Sequence, residues 1–140
     1  MGDAGALTRP IGWWLKEADA AINSAFDHAV GSRGADRRTW QILSTLGQHP
    51  HSTAELSHAL ASFDSADMIV ERLQELQNRS WVESEGDSWQ LTAAGDAERA
   101  ALATEVGQIR RRVAAALPEE DYATLIGLLD RLVTAVTAQP

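Results

Sequence analysis

The chain has 140 residues, an apolar fraction of 44%, no cysteine and a formal net charge of −8. This size allows one domain, or one intertwined subunit, with a real core, and the absence of cysteine excludes disulfides, thiolate metal sites and cysteine nucleophiles. No apolar run approaches the roughly 18–20 residues of a membrane span, and the N-terminal MGDAGALTRP lacks a secretory pattern, so a cytoplasmic protein without membrane contact is expected.

The charge is unevenly spread. Residues 1–50 hold five basic and five acidic side chains, and residues 93–140 hold five and seven. Residues 51–92 hold only Arg72 and Arg79 against Glu55, Asp64, Asp67, Glu71, Glu75, Glu83, Glu85 and Asp87, a net charge of −6. The middle of the chain repels polyanions more than either end does.

In chain order, Pro10 suits the first turn of a helix, and Ile11, Trp14, Leu15, Ala18, Ile22, Ala25 and Ala29 recur at three and four. The spacing predicts one long amphipathic helix ending near Gly31. Asp36 caps a second helix with Trp40, Leu43 and Leu46 inward, closing at Gly47. HPHS reads as a turn, and Ser52 or Thr53 caps a short third helix carrying Leu56 and Leu60. Asp64 or Ser65 opens a fourth, whose apolar face is Ile69, Leu73 and Leu76 and whose outward face is acidic. WVE and SWQL flank SEGD, which predicts a hairpin with Gly86 in the turn. Thr92 caps a long fifth helix striped with Leu102, Val106, Ile109, Val113 and Leu117. Pro118 breaks it, and PEED opens a sixth with acids in its first turn.

Three compact helices and a hairpin make a winged helix-turn-helix. The first helix and the last two are too long and too apolar for that small lobe to cover, so a second copy of the chain is the simplest partner. The expected architecture is mainly α with a small β-wing. It is one domain over residues 1–140, with a winged helix-turn-helix lobe at 36–91 and dimerisation helices at 8–31 and 92–138. The expected homodimer contact uses Ile11, Leu15, Val106, Leu117, Leu125, Leu129, Leu132 and Val136.

The pieces GADRRTWQILSTL, TAELSHAL, IVERLQELQNRSWVE, WQLTAAGDA and LPEEDYATLIGLLDRL, in this order, resemble the MarR (multiple antibiotic resistance regulator) family over about residues 8–136. WQLTAAGDA matches the family's wing-to-helix LTxxG signature. Two departures stand out. The family's wing carries an Asp-x-Arg whose arginine enters the minor groove, whereas SEGDS stands here, with no basic residue between Arg79 and Arg99. The recognition helix of the family offers Ser, Thr and Arg, whereas Ser65, Ala66, Asp67, Met68 and Glu71 occupy that run here.

The resemblance implies a transcriptional regulator, most often a repressor, bound to double-stranded DNA. The DNA-facing residues would be Ser52, Thr53, Ser65, Asp67, Met68, Glu71, Arg72 and Arg79. Carboxylates near phosphates cost about 1–4 kcal/mol per close pair, so binding is expected to be weak and strongly salt-sensitive. The resemblance also implies an effector pocket between dimerisation and DNA-binding regions. Trp13, Trp14, Ala18, Trp40, Leu43, Ile109 and Val113 are its candidate lining and a small aromatic or apolar molecule its ligand; for Trp40, ordinary core packing is the competing role. The −6 segment and the arginine-free wing favour an alternative: a MarR-fold dimer that has lost DNA binding and serves as a ligand-binding or protein-binding module.

His49, His51 and His58 with Glu55 fix no clear ligand geometry, so no metal is expected, and nothing calls for a cofactor. Trp81 and Trp89 are expected to stabilise the hairpin. No phosphate loop, HExxH or Ser/His/Asp frame is present, so an enzyme is not expected.

Overall fold

A computed structural model describes residues 8–138. Residues 1–7, on which much of the N-terminal reading falls, and 139–140 lie outside it. The elements are α1 (Ile11–Val30), a 3₁₀ turn (Gly31–Arg33), α2 (Arg37–Leu46), β1 (His51–Ser52), α3 (Thr53–Ala59), α4 (Ala66–Asn78), β2 (Val82–Glu85), β3 (Ser88–Leu91), α5 (Ala93–Ala116) and α6 (Glu119–Thr137). The chain divides into two compact units, one up to Val106 and one from Gly107 onward.

In the first unit the helix starts follow from side-chain caps. The Thr39 amide donates to Asp36 Oδ1 at 2.8 Å at the start of α2. At α3, Ser52 Oγ accepts from the Glu55 amide at 3.1 Å while Glu55 Oε1 accepts from the Ser52 amide at 2.9 Å, a complete capping box. Ser65, not Asp64, caps α4, with the Met68 amide 3.3 Å from its Oγ. Thr92 Oγ1 accepts from the Gly95 amide at the start of α5. Each such cap contributes about 1 kcal/mol. Pro10 sits at the cap position of α1, one residue before the first turn.

The hairpin forms as expected: β2 and β3 pair antiparallel, with Val82 opposite Leu91 and Glu85 opposite Ser88. Gly86 supplies the positive φ, +62°, that a two-residue turn needs. HPHS, expected as a turn, contributes a third strand: His51 pairs with Trp89 and Ser52 with Ser88, giving the sheet order β1-β3-β2.

Behind these elements lies one core, in which Val30, Ile42, Leu43, Leu56, Ile69, Leu73, Val82 and Leu102 are buried, with Trp40 and Leu46 beside them. Each such side chain stabilises the fold by about 1.5–3 kcal/mol. Val106, expected at a dimer contact, is only 2% exposed and belongs to this core. Its stripe position is right but its cover is the chain's own lobe.

The second unit holds the end of α5 and α6. Glu119, Glu120 and Asp121 occupy the first turn of α6, where the helix dipole favours negative charge. Tyr122, Leu125, Ile126, Leu128, Val133 and Val136 remain exposed along α6, while Leu117, Leu129 and Leu132 are half-buried. In α1, Ile11, Trp14 and Leu15 are likewise exposed. Among the described residues, no helix is long and apolar enough to cross a membrane.

Candidate nucleic-acid interface

α3, the loop 60–65 and α4 make the helix-turn-helix, and β1–β3–β2 make the wing. Ile69, Leu73 and Leu76 are buried, so α4 turns its opposite face outward, and Asp67, Met68, Glu71, Gln74 and Glu75 are exposed there. Glu83, Glu85 and Asp87 are exposed on the wing. Ser52 and Ser65 stand at the starts of α3 and α4, with their hydroxyl oxygens engaged as caps. Thr53 is tied differently: its Oγ1 accepts from Trp89 Nε1 at 2.9 Å, joining wing to α3.

The two arginines of this segment, expected to meet DNA, both make contacts within the lobe, Arg72 part-buried and Arg79 exposed. Arg72 Nε donates to Asp64 Oδ2 at 2.6 Å, and its Nη1 lies 3.4 Å from Asp36 Oδ2, with the side chain 23% exposed. Arg79 Nη1 donates to the Gly34 carbonyl at 2.7 Å and its Nη2 to Glu75 at 3.1 Å, while its guanidinium lies 5.0 Å from the Trp81 ring centre. One arginine therefore fastens the start of α4 to α2, and the other fastens its end to the loop after α1. Arg33 is also occupied, in a two-pronged pair with Glu98 at 2.7 and 2.9 Å that raises its pKa through the hydrogen bond and the carboxylate charge. What remains outward on α4 and the wing is acceptor-rich and negative.

The signature glycine has a packing reason. A Cβ on Gly95 would lie 1.8 Å from the Trp81 carbonyl oxygen. Nearby, Ser80 takes φ +64°, Thr92 Oγ1 donates to its carbonyl at 2.6 Å, and the Thr92 amide donates to the Trp81 carbonyl at 3.1 Å. The LTxxG stretch thus seals the wing to α5. Trp81 precedes β2, and Trp89 faces Ser84 and His51 across the sheet, so the two rings do not form a cross-strand pair.

The residues expected around an effector pocket are divided between the two units. Trp40 and Leu43 belong to the core of the first unit. Trp13 and Trp14 pack edge to face at 4.7 Å, with Arg9 4.2 Å above Trp13, and Trp14 is 42% exposed. Ala18 is exposed on α1. Ile109 and Val113 fall in the second unit, where Ile109 is buried and Val113 half-buried.

His49 and His51 stack with ring centres 4.1 Å apart, a contact sequence spacing did not reveal. Their Nδ1 atoms lie 2.8 and 2.7 Å from the carbonyls of Pro50 and His49, which places the proton on Nδ1 in the neutral rings. Glu55 beside them has its pKa lowered, first by the hydrogen bond from the Ser52 amide. Among the described residues no group of three metal-ligating side chains gathers.

A winged helix-turn-helix flanked by long helices is an architecture of DNA-binding regulators, and the solved structures that resemble this chain narrow it to one fold. A probable transcriptional regulator from Pseudomonas aeruginosa is 28% identical, with a TM-score of 0.77 over 90% of this chain and 98% of that one. The reduced form of MarR from E. coli is 19% identical, with a TM-score of 0.76 over 94% and 98%. A mutant MarR complexed with operator DNA is 18% identical, with a TM-score of 0.78 over 94% and 99%. No family model and no curated protein matches the chain. The chain has the MarR fold.

Proposed function

We propose that the protein is a MarR-like DNA-binding transcriptional regulator acting as a homodimer. The observation that carries this reading is the complete helix-turn-helix and wing, with capped helices α3 and α4 and the LTxxG seal, in a fold shared with a MarR–operator complex. With Arg72 and Arg79 already paired within the lobe, DNA contacts would come largely from the amide end of α4, from hydroxyls and from a few outlying cations. In the finer form of the proposal the protein is a repressor. A small aromatic or apolar ligand taken up near Trp13 and Trp14 would change the spacing of the two α4 helices, which must match half-sites about 34 Å apart.

A second reading is favoured by the outward carboxylates of α4 and the wing. In it the same dimer has given up DNA and serves a ligand or a protein partner.

Titrating the full-length protein with its own upstream DNA and with random duplex, at about 50 and 200 mM salt, separates the two. Preference for the upstream DNA, with a log–log salt slope of several units, is the expected result. Absence of binding at the lower salt overturns the DNA reading in favour of the second.

A further inference from the structure

A cleft of about 220 Å³ lies in the first unit beside α1 and the start of α2, lined by Asn23, Asp27, Asp36, Arg37 and Arg38. Two of its four charged side chains are answered within the lobe. Arg37 Nη1 donates to Asp19 Oδ1 at 3.0 Å and to Asn23 Oδ1 at 2.8 Å. Asp36 accepts from the Thr39 amide and hydroxyl and pairs with Arg72.

The other two are not. Arg38 donates from Nη1 to the neutral Gln41 Oε1 at 3.1 Å and lies 4.9 Å from the Phe63 ring centre, with no carboxylate within ion-pair distance among the described residues. The Asp27 carboxylate has no hydrogen bond or ion pair among the described residues. Beside Phe63, the Arg38 guanidinium keeps one edge, Nε and Nη2, without an acceptor among the described residues. That edge fits a carboxylate in two-pronged fashion.

One cleft therefore presents an unanswered cation and an unanswered anion. A ligand of a single charge satisfies one and is repelled by the other. A ligand carrying both charges satisfies both. We propose that this cleft binds a small zwitterion of the α-amino-acid type, its carboxylate on Arg38 and its ammonium on Asp27. The volume suits a metabolite rather than a drug-sized ligand, whose pockets run from about 300 Å³ upward. Phe63 lies two residues before the Ser65 cap, so the occupied cleft borders the start of α4. The proposal goes beyond the regulator reading and stands whether or not the protein binds DNA.

The test is amide chemical-shift titration of the full-length ¹⁵N-labelled protein with each common L-amino acid in turn, and with acetate and ethylammonium as the two halves of the zwitterion. The expected result is that at least one amino acid moves the amides of Asn23, Asp27, Arg37 and Arg38 and half-saturates below about 10 mM, at least about tenfold more tightly than either half. Asp27→Asn and Arg38→Gln should each weaken it by about tenfold or more. Asp27 is exposed, so Asp27→Asn keeps the fold even where Arg38→Gln, having lost its contact with Phe63, does not. Three results overturn the proposal: no amino acid moves these amides, acetate or ethylammonium alone matches the amino acid, or Asp27→Asn binds as the parent does.

Discussion

At the scale of single residues, Gly95 carries the sharpest constraint. The atom a side chain would add meets a backbone carbonyl, which cannot swing aside as a flexible side chain would. Gly95→Ala should therefore push the wing off α5 and destabilise the chain by about 1–3 kcal/mol or more, read as a lower denaturation midpoint in urea. An unchanged midpoint would show that the Trp81 backbone yields freely. The glycine was legible in the sequence as part of LTxxG, but its reason was not, because the carbonyl it avoids belongs to a residue fourteen positions earlier. The caps Asp36 and Thr92 were legible outright, and Ser52 as one of two adjacent candidates, since a cap acts on an amide two or three residues away. The contacts that Arg72 and Arg79 make within the lobe were not legible, for the opposite cause. Their partners Asp36 and Gly34 lie 36 and 45 positions distant, and a helix pattern shows only that these arginines stand off the core stripe. Trp40, with an ordinary core place as its competing role, took that role.

At the scale of elements, α2, the loop before α4 and α4 itself are joined through Arg72, which reaches both Asp36 and Asp64. Burial pushes the Asp36 carboxyl up, but the hydrogen bonds from the Thr39 amide and hydroxyl and the charge of Arg72 outweigh it. The group is therefore held below its ordinary value of 3.8. In the unfolded chain the carboxyl returns to that ordinary value, so the unfolded state takes up the proton first. The stabilisation from Asp36 is present above that value and is lost as the pH falls below about 4 toward the lower folded value. Asp36→Asn keeps an acceptor for the cap and removes the charge. Its urea midpoint should fall less between about pH 5 and pH 3 than the parent's; equal falls would remove Asp36 from the acid response. The strand β1 escaped the sequence because two residues have no periodicity, and one of them, Ser52, already serves as a cap. The hairpin was readable because Gly86 sits between two β-rich runs.

At the scale of the whole molecule, the apolar residues of α6 bear on the proposed homodimer. Ile126 is 46% exposed and Val136 73% exposed, with Leu125 and Leu128 on the same helix. A stable protein–protein contact takes about 800 Å² from each partner, and an apolar helix face of this length is of the kind that contributes to it. Ile126→Lys should leave the lobe folded and convert a dimer to a monomer at micromolar concentration in sedimentation velocity. A parent chain that sediments as a monomer would remove the proposed homodimer. Sequence showed α5 and α6 as striped but could not say which residues the chain covers for itself: Val106 on α5 is buried in the lobe core, and Val136 on α6 is exposed.

The apolar face of α6 and the acidic face of α4 lie in different units of the chain. Under the proposed dimer this separation has a genetic consequence. An allele damaged only in the lobe still carries an intact pairing helix, so its product would join normal subunits and spoil them. An allele damaged only in α6 would be silent beside a normal copy. Lobe lesions would be dominant and pairing lesions recessive.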